Sequence, residues 1–181
     1  MGTGTCLLTP VENVTIRRAR PGDGEGLARI WLENARYYVD LAPDDFQLPR
    51  AEGLADFFDP SPEHESGARV FLVAEVEGEV AGYAVATVTP AHQSADRQYV
   101  PYHGETRISI DALGVGDAYQ RRGIATRLVD ELERWGRAQG ATLASTDTYV
   151  DSPLSIPFWQ ERLGYRPRSV VMWKRLRGDR R

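Results

Sequence analysis

A chain of 181 residues, 41% hydrophobic and 27% charged, is of a size and mix that fit one ordinary globular domain. Its net charge of -4 argues against nucleic acid as the main partner, because a phosphate backbone calls for a basic face. The lone cysteine, Cys6, excludes an internal disulfide framework and points to a reducing compartment.

Residues 1–11 read as a loose leader. They lack the charged and apolar regions of a signal peptide, and Cys6 stands where a myristoylation pattern needs Ser or Thr. Val14 and Ile16 alternate with Thr15 and Arg17, which predicts a first strand. The run RPGDGEG then breaks the chain, and Asp23 is placed to cap a helix carrying Leu27, Ile30, Trp31, Ala35 and Tyr38 at helical spacing. Pro43 and Pro49 mark a connection, followed by a short helix around Leu54 to Phe58. Residues 69–76 and 80–88 are β-rich runs separated by Glu-Gly-Glu, the pattern of a tight hairpin. Even the most apolar stretch, Val70 to Val76, is interrupted by Glu75. No run is long enough to span a bilayer, so no membrane partner is expected and the cytoplasm is the default location.

The polar segment TPAHQSADRQYVPYHGE is long for a connection inside a compact domain. Its stretch from Tyr99 to His103 either lines a substrate pocket or packs on the domain. His64, His92 and His103 show no metal-ligand spacing. In the strand RISIDALGV, Ile108, Ile110 and Ala112 alternate, and Leu113 and Val115 then resume the apolar pattern one residue out of phase. This slip predicts a β-bulge between Ala112 and Leu113, or else a slightly irregular core strand. Residues 122–139 form the strongest helical pattern, with Ile124, Leu128, Leu132 and Trp135 on one face. The pairs Asp130–Arg134 and Glu133–Arg137 fall on the other face, and Gly140 ends the run. A strand LASTDTYV, a short helix within SPLSIPFWQERLGY closed by Gly164, a last strand RSVVMWKRL and a charged tail at 177–181 complete the chain. The expected fold is α/β: a mixed, mostly antiparallel sheet flanked by helices, with one parallel β-α-β crossover, over residues 12–176.

Chemistry concentrates in the segment DALGVGDAYQRRGIATRL. A strand runs into a turn, and Gln120 to Ala125 open the long helix. The first turn of a helix has amide groups without internal partners and carries partial positive charge, so it suits a phosphate. Gly123 lets an anion approach the backbone without meeting a Cβ. Arg121 and Arg122 add positive charge at an end where cations are unfavourable unless an anion is present. Close helix–strand packing would explain the glycine but not the arginines. A dinucleotide fingerprint fails because Tyr119 occupies the third glycine's place, and a P-loop lacks its Gly-Lys-Ser/Thr.

Gln120-x-x-Gly123-x-Ala125, between an L-x-V strand end and an amphipathic helix and followed later by Phe158-Trp159 and Leu163-Gly164-Tyr165, resembles the GNAT acyltransferases from about Val14 to Leu176. The resemblance implies acetyl-CoA as co-substrate and an amine acceptor. It implies that Gln120, Arg121, Arg122, Gly123, Ile124, Ala125 and Thr126 hold the pyrophosphate. It also implies that Leu113, Gly114 and Val115 contact the pantetheine, with a backbone N–H polarising the thioester carbonyl. Direct transfer needs a base, because an alkyl amine is protonated at neutral pH. Asp111 is the first candidate and Glu105 the second, each equally readable as a solvated strand residue. The family's tyrosine acid is replaced by Gln160, which leaves Tyr149, Ser155 or water for the acid step. A domain that holds acyl-CoA without turnover is the rival reading. The acceptor stays open between small molecules and proteins, and the oligomeric state between monomer and homodimer.

Overall fold

The computed structural model describes residues 13–61 and 67–174. Cys6, His64, the leader and the charged tail lie outside them. The chain divides into two compact units, Met1–Asp147 and Thr148–Arg181.

The first unit is a five-stranded sheet in sequence order, β1 (Val14–Arg18), β2 (Arg69–Val76), β3 (Glu79–Thr89), β4 (Arg107–Val115) and β5 (Leu143–Thr146). Neighbours run antiparallel except β4 and β5, which are parallel as expected. Glu77 and Gly78 turn the β2–β3 hairpin, both at positive φ, as a two-residue turn matching the strand twist requires. Three helices join the sheet: α1 (Gly24–Leu41), α2 (Leu54–Phe58) and α3 (Ile124–Ala138). Leu27 and Ile30 of α1 pack on Val73, Val80 and Tyr83 on one face of the sheet. On the other face, α3 buries Ile124, Leu128, Val129 and Leu132. It lies so close that a Cβ on Gly136 would meet Ile108 Cγ2 at 2.7 Å. No helix among the described residues is long and apolar enough to cross a membrane.

Four expectations need correction. Asp23 occupies the N-cap position of α1 but makes no side-chain cap bond. Its carboxylate instead accepts from Arg17 Nη1 and Nη2 at 2.7 Å and from the Arg20 N–H at 2.8 Å. The amides of Gly22 and Gly24 are satisfied by Asp59 Oδ1 from the end of α2. On α3, Arg134 pairs with Glu131 rather than Asp130, whereas Glu133–Arg137 forms at 2.7 Å. The strand expected over 143–150 stops at Thr146. The expected last strand does not form over residues 168–174, where Val170, Val171, Met172 and Trp173 are exposed.

The second unit holds α4 (Ser155–Pro157), which continues as a π-type helix over Phe158–Arg162. Ser152 is buried, and its Oγ accepts the Ser155 N–H at 3.1 Å. Trp159 is buried and packs edge-on against Tyr165.

The Arg17–Asp23 pair makes a stability prediction. Burial works against the charged Asp23 carboxylate, but the Arg17 guanidinium and the Arg20 amide outweigh it, so its pKa lies below the usual 3.8. A carboxylate with a depressed folded-state pKa adds stability above its unfolded pKa and loses it as pH falls through the folded value. Asp23→Asn strips Arg17 of one partner and leaves it Glu75, which accepts from its Nε at 2.8 Å. The expected loss is about 2 to 4 kcal/mol, at or just under the range for breaking a buried pair. Urea unfolding should show the gap to wild type at pH 6 and its narrowing as pH drops below about 4.

Candidate active site

β3 and β4 pair from Gly82↔Val115 to Thr89↔Arg107, with one irregularity: Val85 pairs with Ala112 and Ala86 with Ile110. Asp111 is therefore the extra residue of a β-bulge. The predicted bulge exists, one residue earlier than the apolar pattern indicates. Asp111 is exposed, and its Oδ2 accepts the Thr87 hydroxyl at 2.6 Å. On the opposite edge, β5 pairs with β4 only from Arg107↔Leu143 to Ile110↔Thr146. From Asp111 to Val115, β4 has no strand partner on that side among the described residues. The two parallel strands part at the bulge, and along the free edge of β4 beyond it alternate residues turn their backbone N–H and C=O groups outward.

Past Val115 the chain makes a short 3-10 turn, Asp117–Tyr119, and reaches the start of α3. Gln120 Nε2 donates to Asp117 Oδ1 at 2.9 Å. Arg121 and Gly123 both adopt left-handed conformations, at φ 60° and 81°. Gly123 is the N-cap of α3, and its carbonyl accepts the Arg127 N–H. The amides of Ile124, Ala125 and Thr126 form the helix's first turn, where no intrahelical acceptor is in reach. A Cβ on Gly123 would have nothing within 4 Å. The glycine is thus not needed for packing; it serves the backbone turn and leaves the space before the helix clear. Arg121 and Arg122 are exposed, have no ion-pair partner among the described residues, and Arg122 lies over the Tyr119 ring. Free helix amides, a left-handed glycine and two exposed guanidinium groups thus meet at the start of α3, the combination of geometry and charge that suits an anion.

Sequence periodicity does not reveal how α1 braces this region. Glu33 Oε2 accepts the Asp117 N–H at 2.9 Å, Arg29 pairs with Glu33, and Arg29 Nη2 donates to the Val80 carbonyl at 2.7 Å. The next residue, Asn34, bonds the Tyr83 hydroxyl. A Cβ at Gly114 would meet Asn34 Nδ2 and Tyr83 Cε1 at 2.5 Å, so only glycine fits there. Burial pushes the Tyr83 hydroxyl up to about 12, so it stays protonated and is no base at neutral pH.

Glu105 lies elsewhere. It precedes β4, accepts the Thr142 hydroxyl at 2.7 Å, and is roughly 20 Å along the chain direction from Asp111. The structure does not bring the two carboxylates together. The long loop closes on itself through His92 N–H to the His103 carbonyl, and Tyr102 stacks on His103. Gln160 is exposed on the π-type helix of the second unit. No group of three metal-ligating side chains occurs among the described residues.

Comparisons with known proteins show the same fold elsewhere. A mutant of the BH1408 protein of Bacillus halodurans superposes with a TM-score of 0.75 at 20% identity, over 90% of this chain and 99% of that one. A ribosomal-protein-alanine N-acetyltransferase from Brucella melitensis biovar Abortus 2308 gives 0.61 at 16%, over 91% and 99%. An aminoglycoside acetyltransferase from an uncultured soil metagenomic sample, in complex with sisomicin, gives 0.55 at 18%, over 91% and 97%. No curated protein matches the chain. Residues 27–165, which include most of α1, the bulged strand, the glycine turn before α3 and the π-type helix, match the family described as Acetyltransferase (GNAT) family, and the chain belongs to it.

Proposed function

We propose that the chain is an N-acetyltransferase that moves the acetyl group of acetyl-CoA to a primary amine of a small molecule or protein, by direct attack of the amine on the thioester. The observation that carries this reading is the parting of β4 from β5 at the Asp111 bulge, which frees a strand edge beside a carboxylate and ahead of an anion site. The amides of Gly123, Ile124, Ala125 and Thr126, with Gln120, Arg121 and Arg122 around them, hold the pyrophosphate. Leu113, Gly114 and Val115 pair with the pantetheine arm, and an edge N–H polarises the thioester carbonyl. Acetyl-CoA supplies the activated acyl group. Asp111 takes the proton that the acceptor must lose, and Thr87 orients its carboxylate. Gln160 cannot serve as an acid, so the thiolate takes its proton from another group or from water.

Release of CoA thiol across a panel of amines tests the reading. Thiol appearing with at least one amine supports it. Binding of acetyl-CoA without thiol release from any amine replaces it with a non-catalytic acyl-CoA-binding domain. CoA itself should stabilise the fold: at 100 times its dissociation constant a ligand adds about 2.7 kcal/mol. In a chain of this size the melting temperature should rise by about 5 to 10 °C in a calorimetric or dye-based scan. A folded protein showing no shift in millimolar CoA contradicts the assignment of the anion site.

A further inference from the structure

Beyond Tyr83, the sheet face that carries α1 turns polar. Val73 and Tyr83 pack on α1, and two-residue alternation brings Arg69 of β2 and Thr87 of β3 to the same side. Ile108 faces α3 at Gly136, so Arg107 and Ser109 point the other way, toward the α1 side. The register sets Arg69 opposite Thr87, Thr87 opposite Ser109, and Thr89 opposite Arg107. Asp111 joins them through its bond to Thr87. This face therefore holds one carboxylate at the strand bulge and two arginines around it. None of the three has an ion-pair partner among the described residues. The Arg107 guanidinium is held over the Tyr102 ring, 5.6 Å from its centre, and the residue is half-buried.

Unpaired guanidinium groups beside an unpaired carboxylate select for a ligand of complementary charge pattern. We infer that the acceptor is an amine that also carries a carboxylate or similar anion a few bonds away. Asp111 receives the ammonium end, and Arg107 with Arg69 receives the anionic end. The inference rests on the acetyltransferase reading above and names its substrate class. Arg69 stands one strand from Thr87, and Arg107 stands two same-face steps from Asp111, on the order of 5 and 13 Å between Cα atoms. Extended arginine side chains shorten the second span to that of an amino acid or a dipeptide. A planar guanidinium takes a carboxylate through two parallel hydrogen bonds, which gives orientation as well as affinity. A polycationic amine meets two uncompensated positive charges on the same face and is disfavoured.

The test compares glycine, leucine and β-alanine, each against its own carboxamide, together with spermidine, with thiol release expressed per free amine. A charge-assisted pair predicts a preference for the carboxylate form of about 10- to 100-fold in kcat/KM. In Arg69→Gln/Arg107→Gln that ratio should fall to about 1, and Arg107→Glu should raise the relative rate with spermidine. Equal rates for acid and amide, or a preference for spermidine in the wild type, would overturn the inference while leaving the acetyltransferase intact. If no amine releases thiol, calorimetric titration of N-acetylleucine and N-acetylleucinamide onto the CoA-loaded protein still decides. Tighter binding of the acid, abolished by Arg107→Gln, supports the anion subsite even with the catalytic reading lost, and no difference refutes it.

Discussion

Asp111→Asn should lower turnover by about 10²- to 10⁴-fold at pH 7, the usual contribution of a positioned general base, with CoA affinity nearly unchanged. The substitution is close to isosteric, and an amide oxygen can still accept the Thr87 hydroxyl that the carboxylate accepts at 2.6 Å. What disappears is basicity at the one point of β4 where an extra residue is inserted and β5 has left. An alkyl amine with a pKa of about 10.4 is only about 0.04% free base at pH 7. The deficit should therefore shrink as pH rises toward 9 or 10. Rate profiles of the two proteins between pH 6.5 and 10, with CoA titrations at each end, check both parts. Glu105→Gln serves as the comparison: bonded to Thr142 and ahead of the strand, it should keep near-normal turnover. Normal rates for Asp111→Asn across the range would mean that no carboxylate on β4 is the base.

The second large effect is at Gly123. Gly123→Val should weaken CoA binding by about 100-fold, because its side chain would fill the space now clear before the helix and cost one or two charge-assisted hydrogen bonds. Strain confounds any such variant, because a residue with a Cβ at φ 81° costs about 1 to 2 kcal/mol wherever it stands. The same helix supplies the control. Gly140 also sits at φ 81° with nothing within 4 Å of its missing Cβ, beyond the other end of α3. Gly123→Val and Gly140→Val should thus lose similar stability in urea, and only the first should lose CoA affinity. Equal affinity for both would move the phosphate site away from this loop. Arg121→Ala and Arg122→Ala should each matter less, because exposed charges are screened and the backbone donors stay in place.

Features with local causes were legible in the sequence. The β2–β3 hairpin, the amphipathic face of α3 and the glycine turn that leads from β4 into it each follow from neighbours within a few positions. The bulge illustrates a near miss. Ala112 is apolar and reads as a continuation of the Ile108–Ile110 stripe, which shifts the apparent slip to the next residue. In the ladder, Ala112 packs against the α1-side core, and the unpaired position is the polar Asp111. Long-range partners were not legible. Nothing near Asp23 announces Arg17's grip on it, and the acceptor for the first amides of α1, Asp59, is 35 residues downstream of Gly24. Glu33 and Asn34 look like ordinary helix positions until β4 and its loop are set against them. The segment 168–174 shows the opposite failure. Its Val-Val-Met-Trp run has the composition of a strand, but β-propensity is mostly a fit to neighbouring strands, and no ladder forms there.

The bracing of α1 carries a thermodynamic consequence. Glu33 clasps the second amide after β4, that of Asp117, while Arg29 ties the same helix to Val80, so helix, loop and sheet are joined by direct bonds. If the acceptor rests on α1, the two ligands of the reaction report to each other through that clasp. Linkage then requires reciprocity: whatever factor the nucleotide-bearing ligand imposes on the affinity of the acceptor, the acceptor imposes in return. The clasp would set the cooperativity of the ternary complex, and Glu33→Gln should flatten both directions by the same factor.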